Sequence, residues 1–287
     1  MRILFISLLL LFSIKQAVAQ SWVKIDYTPG NTAEVSQVEA LIRLPEGTAN
    51  RQAVLLLHHA GGFSFNTTSQ YGEFLSQQGF LTLELKMFNA HSDRPSTRAL
   101  HAQVMGALKF LAARPDVDPS KISAMGMSLG AYLAMVGASS WFYDEFKAGD
   151  LRFNRLIAVY PICWFMSEAL KGQTQGINLF SGFPSSFLQK WEGIPLLMLV
   201  GGKDDYDGGK GEPCPAFLRQ LDDDRQAKVT QLQIYLTATH GWDHGKTYSF
   251  PVRGTCIGRS NCMNRNVFSP EIVEQGKLDA LKFLTAP

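Results

Sequence analysis

The sequence predicts an α/β fold, a doubly wound and mostly parallel sheet flanked by helices, and three observations carry that reading. Short continuous apolar runs alternate with stretches of helical period, as happens when strands are covered on both faces. The run Ile122-Ser123-Ala124-Met125 passes straight into Gly126-Met127-Ser128-Leu129-Gly130 and then into the helix-forming Ala131-Tyr132-Leu133-Ala134-Met135-Val136. Loops rich in glycine, aspartate and histidine follow other apolar runs, at the strand ends where an open parallel sheet collects function. At 287 residues, 46% hydrophobic and 18% charged, the chain fits one large domain, and no linker, repeat or low-complexity tract divides residues 20–287.

The elements follow in order. Residues 1–19 read as a secretory signal peptide, with Arg2 at the start, an uncharged apolar run from Ile3 to Phe12, and small residues at Ala17-Val18-Ala19. That run is well short of the roughly 20 residues needed to span a bilayer. Ser36 to Leu44 partly alternates and reads as an outer strand, and Ala53 to Leu57 is a buried strand ending in His58-His59-Ala60-Gly61-Gly62. A helix from Thr68 to Gln78 stops at Gly79, and a strand from Phe80 to Leu85 follows. Leu100, Val104, Leu108 and Leu111 give an apolar stripe to a helix over Thr97–Arg114. After the central strand, a helix runs from Ala131 towards Phe142, and Leu156 to Tyr160 forms another strand. Residues 162–193 are an aromatic-rich insertion, read as core packing for most of its rings. Ile194 to Val200 and Val229 to Thr237 are strands, Pro213 to Leu221 and Ile272 to Leu284 helices.

Gly-x-Ser-x-Gly at a strand-to-helix turn raises a serine hydroxyl above the sheet, and the glycines let neighbouring backbone crowd in. Ser128 is therefore a candidate nucleophile, and it needs a base. His240, directly after a strand and followed by Gly241, is the candidate, with His244 four residues further on either at the surface or supporting the site from behind. His58 suits packing under its loop. The acid that orients the base comes from Gly201-Gly202-Lys203-Asp204-Asp205. Asp204 is preferred and Asp205 is the competitor, with Asp207 behind them. The chain order Ser, Asp, His is that of an α/β-hydrolase. The amides of Leu129 and Ala60 are the candidate oxyanion donors.

Composition limits the partners. Removing residues 1–19 leaves 25 basic and 25 acidic residues, so neither nucleic acid nor an anionic membrane is favoured after signal cleavage. Asp-Asp-Tyr-Asp-Gly at 204–208 lacks the alternating ligands and distal glutamate of a calcium loop, and no metal or other cofactor is called for. Export, to the periplasm or beyond, permits disulfides among the 4 cysteines. Cys256 and Cys262 bracket a short turn-rich loop; spacing alone does not select among the possible pairings.

These motifs resemble the dienelactone hydrolase family of α/β-hydrolases. The likeness runs from about Ala53 onward: Leu-Leu-His-His-Ala-Gly-Gly at 56–62, Val-Asp-Pro-Ser-Lys-Ile at 117–122 leading into Gly-Met-Ser-Leu-Gly, Val-Gly-Gly-Lys-Asp-Asp at 200–205, and Ala-Thr-His-Gly-Trp-Asp at 238–243. The resemblance implies a Ser128–Asp204–His240 triad. It also places Pro161–Trp164 beside the acid-bearing loop, which implies a Cys163–Cys214 disulfide and leaves Cys256 to pair with Cys262. Trp164 and His59 are then expected to face substrate. The family uses a cysteine nucleophile and carries a glutamate where this chain has His59, so Ser128 implies ordinary carboxylic ester hydrolysis of a small molecule. A peptidase of the same fold and a binding protein that keeps the fold without the reaction are the alternatives, and oligomeric state is left open.

Overall fold

The computed structural model describes residues 19–29, 34–45, 50–64, 66–90, 92, 94–173, 178–180, 182–221 and 223–287. The expected signal peptide lies outside these residues except for Ala19. Strand β1 (Gln20–Tyr27) pairs antiparallel with β2 (Ser36–Arg43), and β2 pairs antiparallel with β4 (Leu81–Lys86). Strands β3 (Ala53–Leu57), β5 (Ile122–Met127), β6 (Leu156–Val159), β7 (Leu196–Gly201) and β8 (Thr230–Tyr235) complete the parallel part. Together they form an 8-stranded sheet in the order β1-β2-β4-β3-β5-β6-β7-β8. The outermost strand is thus β1, with β2 inside it. A largely exposed strand such as β1 leaves little apolar signal in sequence.

Both faces of the sheet are covered, as the unbroken apolar runs require. Leu55 and Leu57 point into a core layer with Leu100, Val104 and Leu108 of α2 (Thr97–Ala112) and with α3 (Leu129–Val136). Val54 and Leu56 point the other way, to Tyr71 and Leu75 of α1 (Thr68–Gln77) and to Val273 and Phe283 of the C-terminal helix. The helix expected to reach Phe142 is broken. Gly137 ends α3, and α4 (Ser140–Glu145) begins after Ser139, which bridges to Trp191. Phe183 and Phe187 of the aromatic region close on one another and on Trp141 of α4.

Four helices follow: α5 (Cys163–Leu170), α6 (Pro213–Gln220), α7 (Asp224–Val229) and α8 (Pro270–Thr285). Cys163 is joined to Cys214 and Cys256 to Cys262, the expected pairing. Between β8 and α8 the sequence suggested no strand. The structure has a separate antiparallel hairpin there, β9 (Tyr248–Cys256) and β10 (Ser260–Asn266). Pro251 and Gly254 weaken the strand pattern, and the hairpin is held by contacts remote in sequence. Among the described residues no helix is long and apolar enough to cross a membrane.

Candidate active site

Ser128 stands between β5 and α3 at φ 52°, ψ −107°, a left-handed conformation costly for a residue with a side chain. The neighbours hold it there. Its N–H donates to Val159 O at 3.0 Å, and its carbonyl accepts from Tyr132 N at 3.0 Å. A Cβ at Gly126 would overlap the Gly130 carbonyl, and one at Gly130 would overlap the Leu57 carbonyl. Glycine is therefore required at both flanks for the backbone to turn this tightly.

Asp204 and His240 are brought to Ser128 by sheet topology. Strands β7 and β8 are parallel neighbours with Gly201 opposite Tyr235, so the loops that leave them start side by side. Gly202 N donates to Tyr235 O at 2.9 Å and Lys203 N to Ala238 O at 2.8 Å, stitching the acid loop to the base turn. His240 Nδ1 consequently lies 2.7 Å from Asp204 Oδ2, and its Nε2 lies 2.9 Å from Ser128 Oγ. Asp204 and His240 are both buried. Asp204 Oδ1 also accepts from Tyr206 N at 3.0 Å, fixing the carboxylate. The rings of Tyr160 and Tyr206 stand edge-on to the imidazole at 4.9 and 4.6 Å.

The competing residues have other partners. Asp205 binds Arg265 through its backbone N–H, Nε and Nη2. Asp207 is buried and accepts from the N–H groups of Cys163 and Trp164 at 2.9 and 3.0 Å, at the start of α5. Burial first, then the charge of Asp204, pushes its carboxyl up to about 8. Cys163, Asp207 and Cys214 form a cluster of metal-ligand type among the described residues, but its sulfurs are committed to the disulfide. His244 is buried, with Nδ1 2.6 Å from Tyr248 Oη. His58 fills space under its loop, as expected, with Nδ1 2.8 Å from His59 O.

A cavity of about 380 Å³ opens at Ser128 and is lined by Ala60, Leu129, Ile162, Phe165 and Tyr206. Ala60 and Leu129 thus border the space beside Ser128, and Leu129 is the first residue of its helix, where the N–H has no intrahelical acceptor. The two residues expected to face substrate are placed differently. His59 stacks on His244 with centroids 4.4 Å apart and accepts from Gly61 N, and it is not among the residues lining the cavity. Burial and then the charge of His240 lower its pKa to about 4, so it is neutral at physiological pH. Trp164 lines a different cavity, of about 900 Å³. Its neighbour Phe165 takes the wall position instead, because a helix beginning at Cys163 sends successive side chains to different sides.

Sequence reasoning missed Arg94, Arg253 and Tyr206, which also line the Ser128 cavity. Tyr206 carried a usable signal, lying two residues beyond the acid. Arg94 and Arg253 sit in segments whose course only the folded chain defines.

No family model and no curated protein matches the chain. Solved structures do. A Klebsiella pneumoniae protein described as a dienelactone hydrolase superposes with a TM-score of 0.61 at 14% identity, covering 94% of this chain and 100% of that one. A Pyrococcus furiosus esterase gives 0.59 at 15% identity, covering 93% and 91%. An acylaminoacyl peptidase gives 0.52 at 15% identity, covering 79% of this chain but 38% of the peptidase. The chain has the α/β-hydrolase fold.

Proposed function

We propose that this chain is a serine hydrolase of small carboxylic esters, related to dienelactone hydrolases but with an ordinary esterase nucleophile. The observation that carries the reading is the continuous hydrogen-bonded line from Ser128 Oγ through the His240 imidazole to Asp204. Ser128 Oγ attacks the ester carbonyl carbon as its proton passes to His240 Nε2. Asp204 holds the Nδ1 proton and stabilises the resulting imidazolium. The carbonyl oxygen, now negative, is met by the amides of Leu129 and Ala60, each worth roughly 10² to 10³ in rate. Collapse breaks the bond to the alkoxy group, which leaves as the alcohol with the proton from Nε2. Water, deprotonated by the same nitrogen, then releases the acid from Ser128.

The cavity admits a small substrate, and its charged lining residues are Arg94 and Arg253. The structural match to the peptidase covers only 38% of that chain, and the described part of this chain has no second domain to grip a peptide. Export is supported by the signal-like residues 1–19 and by the two disulfides.

Labelling with a fluorophosphonate, paired with turnover of p-nitrophenyl acetate, tests the reading. Wild type is expected to label and hydrolyse, and Ser128→Ala to do neither. A folded wild type that is inert to both overturns it.

A further inference from the structure

Among the described residues the hairpin β9–β10 pairs with no strand of the central sheet, yet Arg253, Gly254 and Thr255 of β9 line the Ser128 cavity. An isolated two-stranded hairpin is marginally stable in water. Its position against the cavity must therefore come from side-chain tethers, and these are visible. At the cavity, Trp164 Nε1 donates to Thr255 O at 3.2 Å. Within the hairpin, Cys256–Cys262 closes the tip where the strand register shifts between Ser260 and Cys262, stiffening the wall rather than anchoring it. Along β10, Arg265 grips Asp205 of the acid loop. At the base, Tyr248 Oη lies 2.6 Å from Nδ1 of His244 in the loop after β8, and Asn266 Nδ2 donates to the same hydroxyl at 2.8 Å from across the hairpin.

We propose that this hairpin is the size-selective wall of the Ser128 cavity, held against it by the Trp164–Thr255 hydrogen bond and stiffened internally by the Cys256–Cys262 disulfide. The proposal rests on the esterase reading and adds the element that sets which esters fit. It also gives Trp164 a place in selectivity: a positioning residue, holding the wall from behind while Phe165, packed on its ring at 4.3 Å, faces the cavity. Chain length is the property such a wall controls. Each methylene accepted or refused by an apolar pocket changes kcat/KM by roughly 10- to 200-fold, so a wall that yields even slightly alters the ranking of esters.

The test uses two ester series, one varied in acyl length with the leaving group fixed and one varied in alcohol length with the acyl group fixed. The proteins are wild type, Cys256→Ser/Cys262→Ser and Trp164→Phe; phenylalanine keeps the ring packing and removes only the indole donor. In at least one series, the ratio of kcat/KM for the eight-carbon over the two-carbon ester should rise about tenfold in the disulfide variant. It should move the same way in Trp164→Phe, with Ser128 still labelled by fluorophosphonate. Ratios unchanged in both series, in variants that still label, overturn the proposal, as does an equal loss of kcat/KM at every length. Should the disulfide variant fail to fold, Trp164→Phe decides alone. A wild type that neither labels nor turns over any ester refutes the esterase reading instead, a distinct outcome.

Discussion

Asp204 and Asp205 adjoin in sequence but turn to different partners, the first to His240 and the second to Arg265. Loop spacing singled out Asp204 because the strand fixes where its last glycine falls and the short loop fixes the rest. Replacing Asp204 by Asn keeps the shape and offers an amide where the Nδ1 proton needs an acceptor. Its kcat is expected to fall about 10³- to 10⁴-fold, against less than about tenfold for Asp205→Asn, measured under saturating ester. Gly126→Ala should not accumulate as folded protein, because its methyl would overlap the Gly130 carbonyl; expression and circular dichroism read this directly. Arg253 is exposed at the cavity mouth, where a charge pair is worth at most about 1 kcal/mol. Arg253→Ala should accordingly lower kcat/KM for an ester bearing a free carboxylate up to about fivefold relative to its neutral counterpart.

At the scale of elements, the strand–turn–helix around Ser128 was legible because its constraints are local: a buried apolar run, glycines at the crowded positions, and a helix-forming sequence. The hairpin was not, because no local hydrophobic pattern specifies it. The disulfide Cys163–Cys214 ties α5 to α6 across a separation of 51 residues, and closing a loop of that size restricts the unfolded chain by about 4 kcal/mol. Cys163→Ser/Cys214→Ser should lose about 2–4 kcal/mol in urea unfolding. It should also weaken the acid loop, since the backbone N–H of Cys163 is one of the two donors to Asp207.

Across the molecule, buried titratable groups shape stability with opposite signs. His58 and His101 are buried and their pKa values are pushed down to about 4, chiefly by burial. In the unfolded chain each takes a proton near pH 6.5. Their contribution is thus fully present above pH 6.5 and is lost as pH falls towards 4. Asp207 and Asp243 act the other way. Burial raises their carboxyls to about 8 and about 6, so their contribution is present at low pH and declines as pH rises from about 4 to those values. His101 packs edge-on against Tyr132 and Phe183. His101→Phe removes one titration while keeping an aromatic ring. Its stability relative to wild type should improve by about 3 kcal/mol between pH 7 and pH 4, as measured by denaturant unfolding at each pH.

The alternation of elements and the serine turn were readable because each rests on residue type and short-range spacing; the resemblance to a known family added the disulfide pairing and named Asp204 and His240, which the structure brings within hydrogen-bonding distance of one another and of Ser128. Tertiary structure alone decided the rest. It exchanged Phe165 for Trp164 at the cavity wall, moved His59 aside to stack on His244, and brought a remote hairpin over Ser128. A cavity wall is assembled from segments whose relative placement depends on tethers such as Trp164–Thr255 and Arg265–Asp205, and those partners are separated by dozens of residues with no local pattern to announce them.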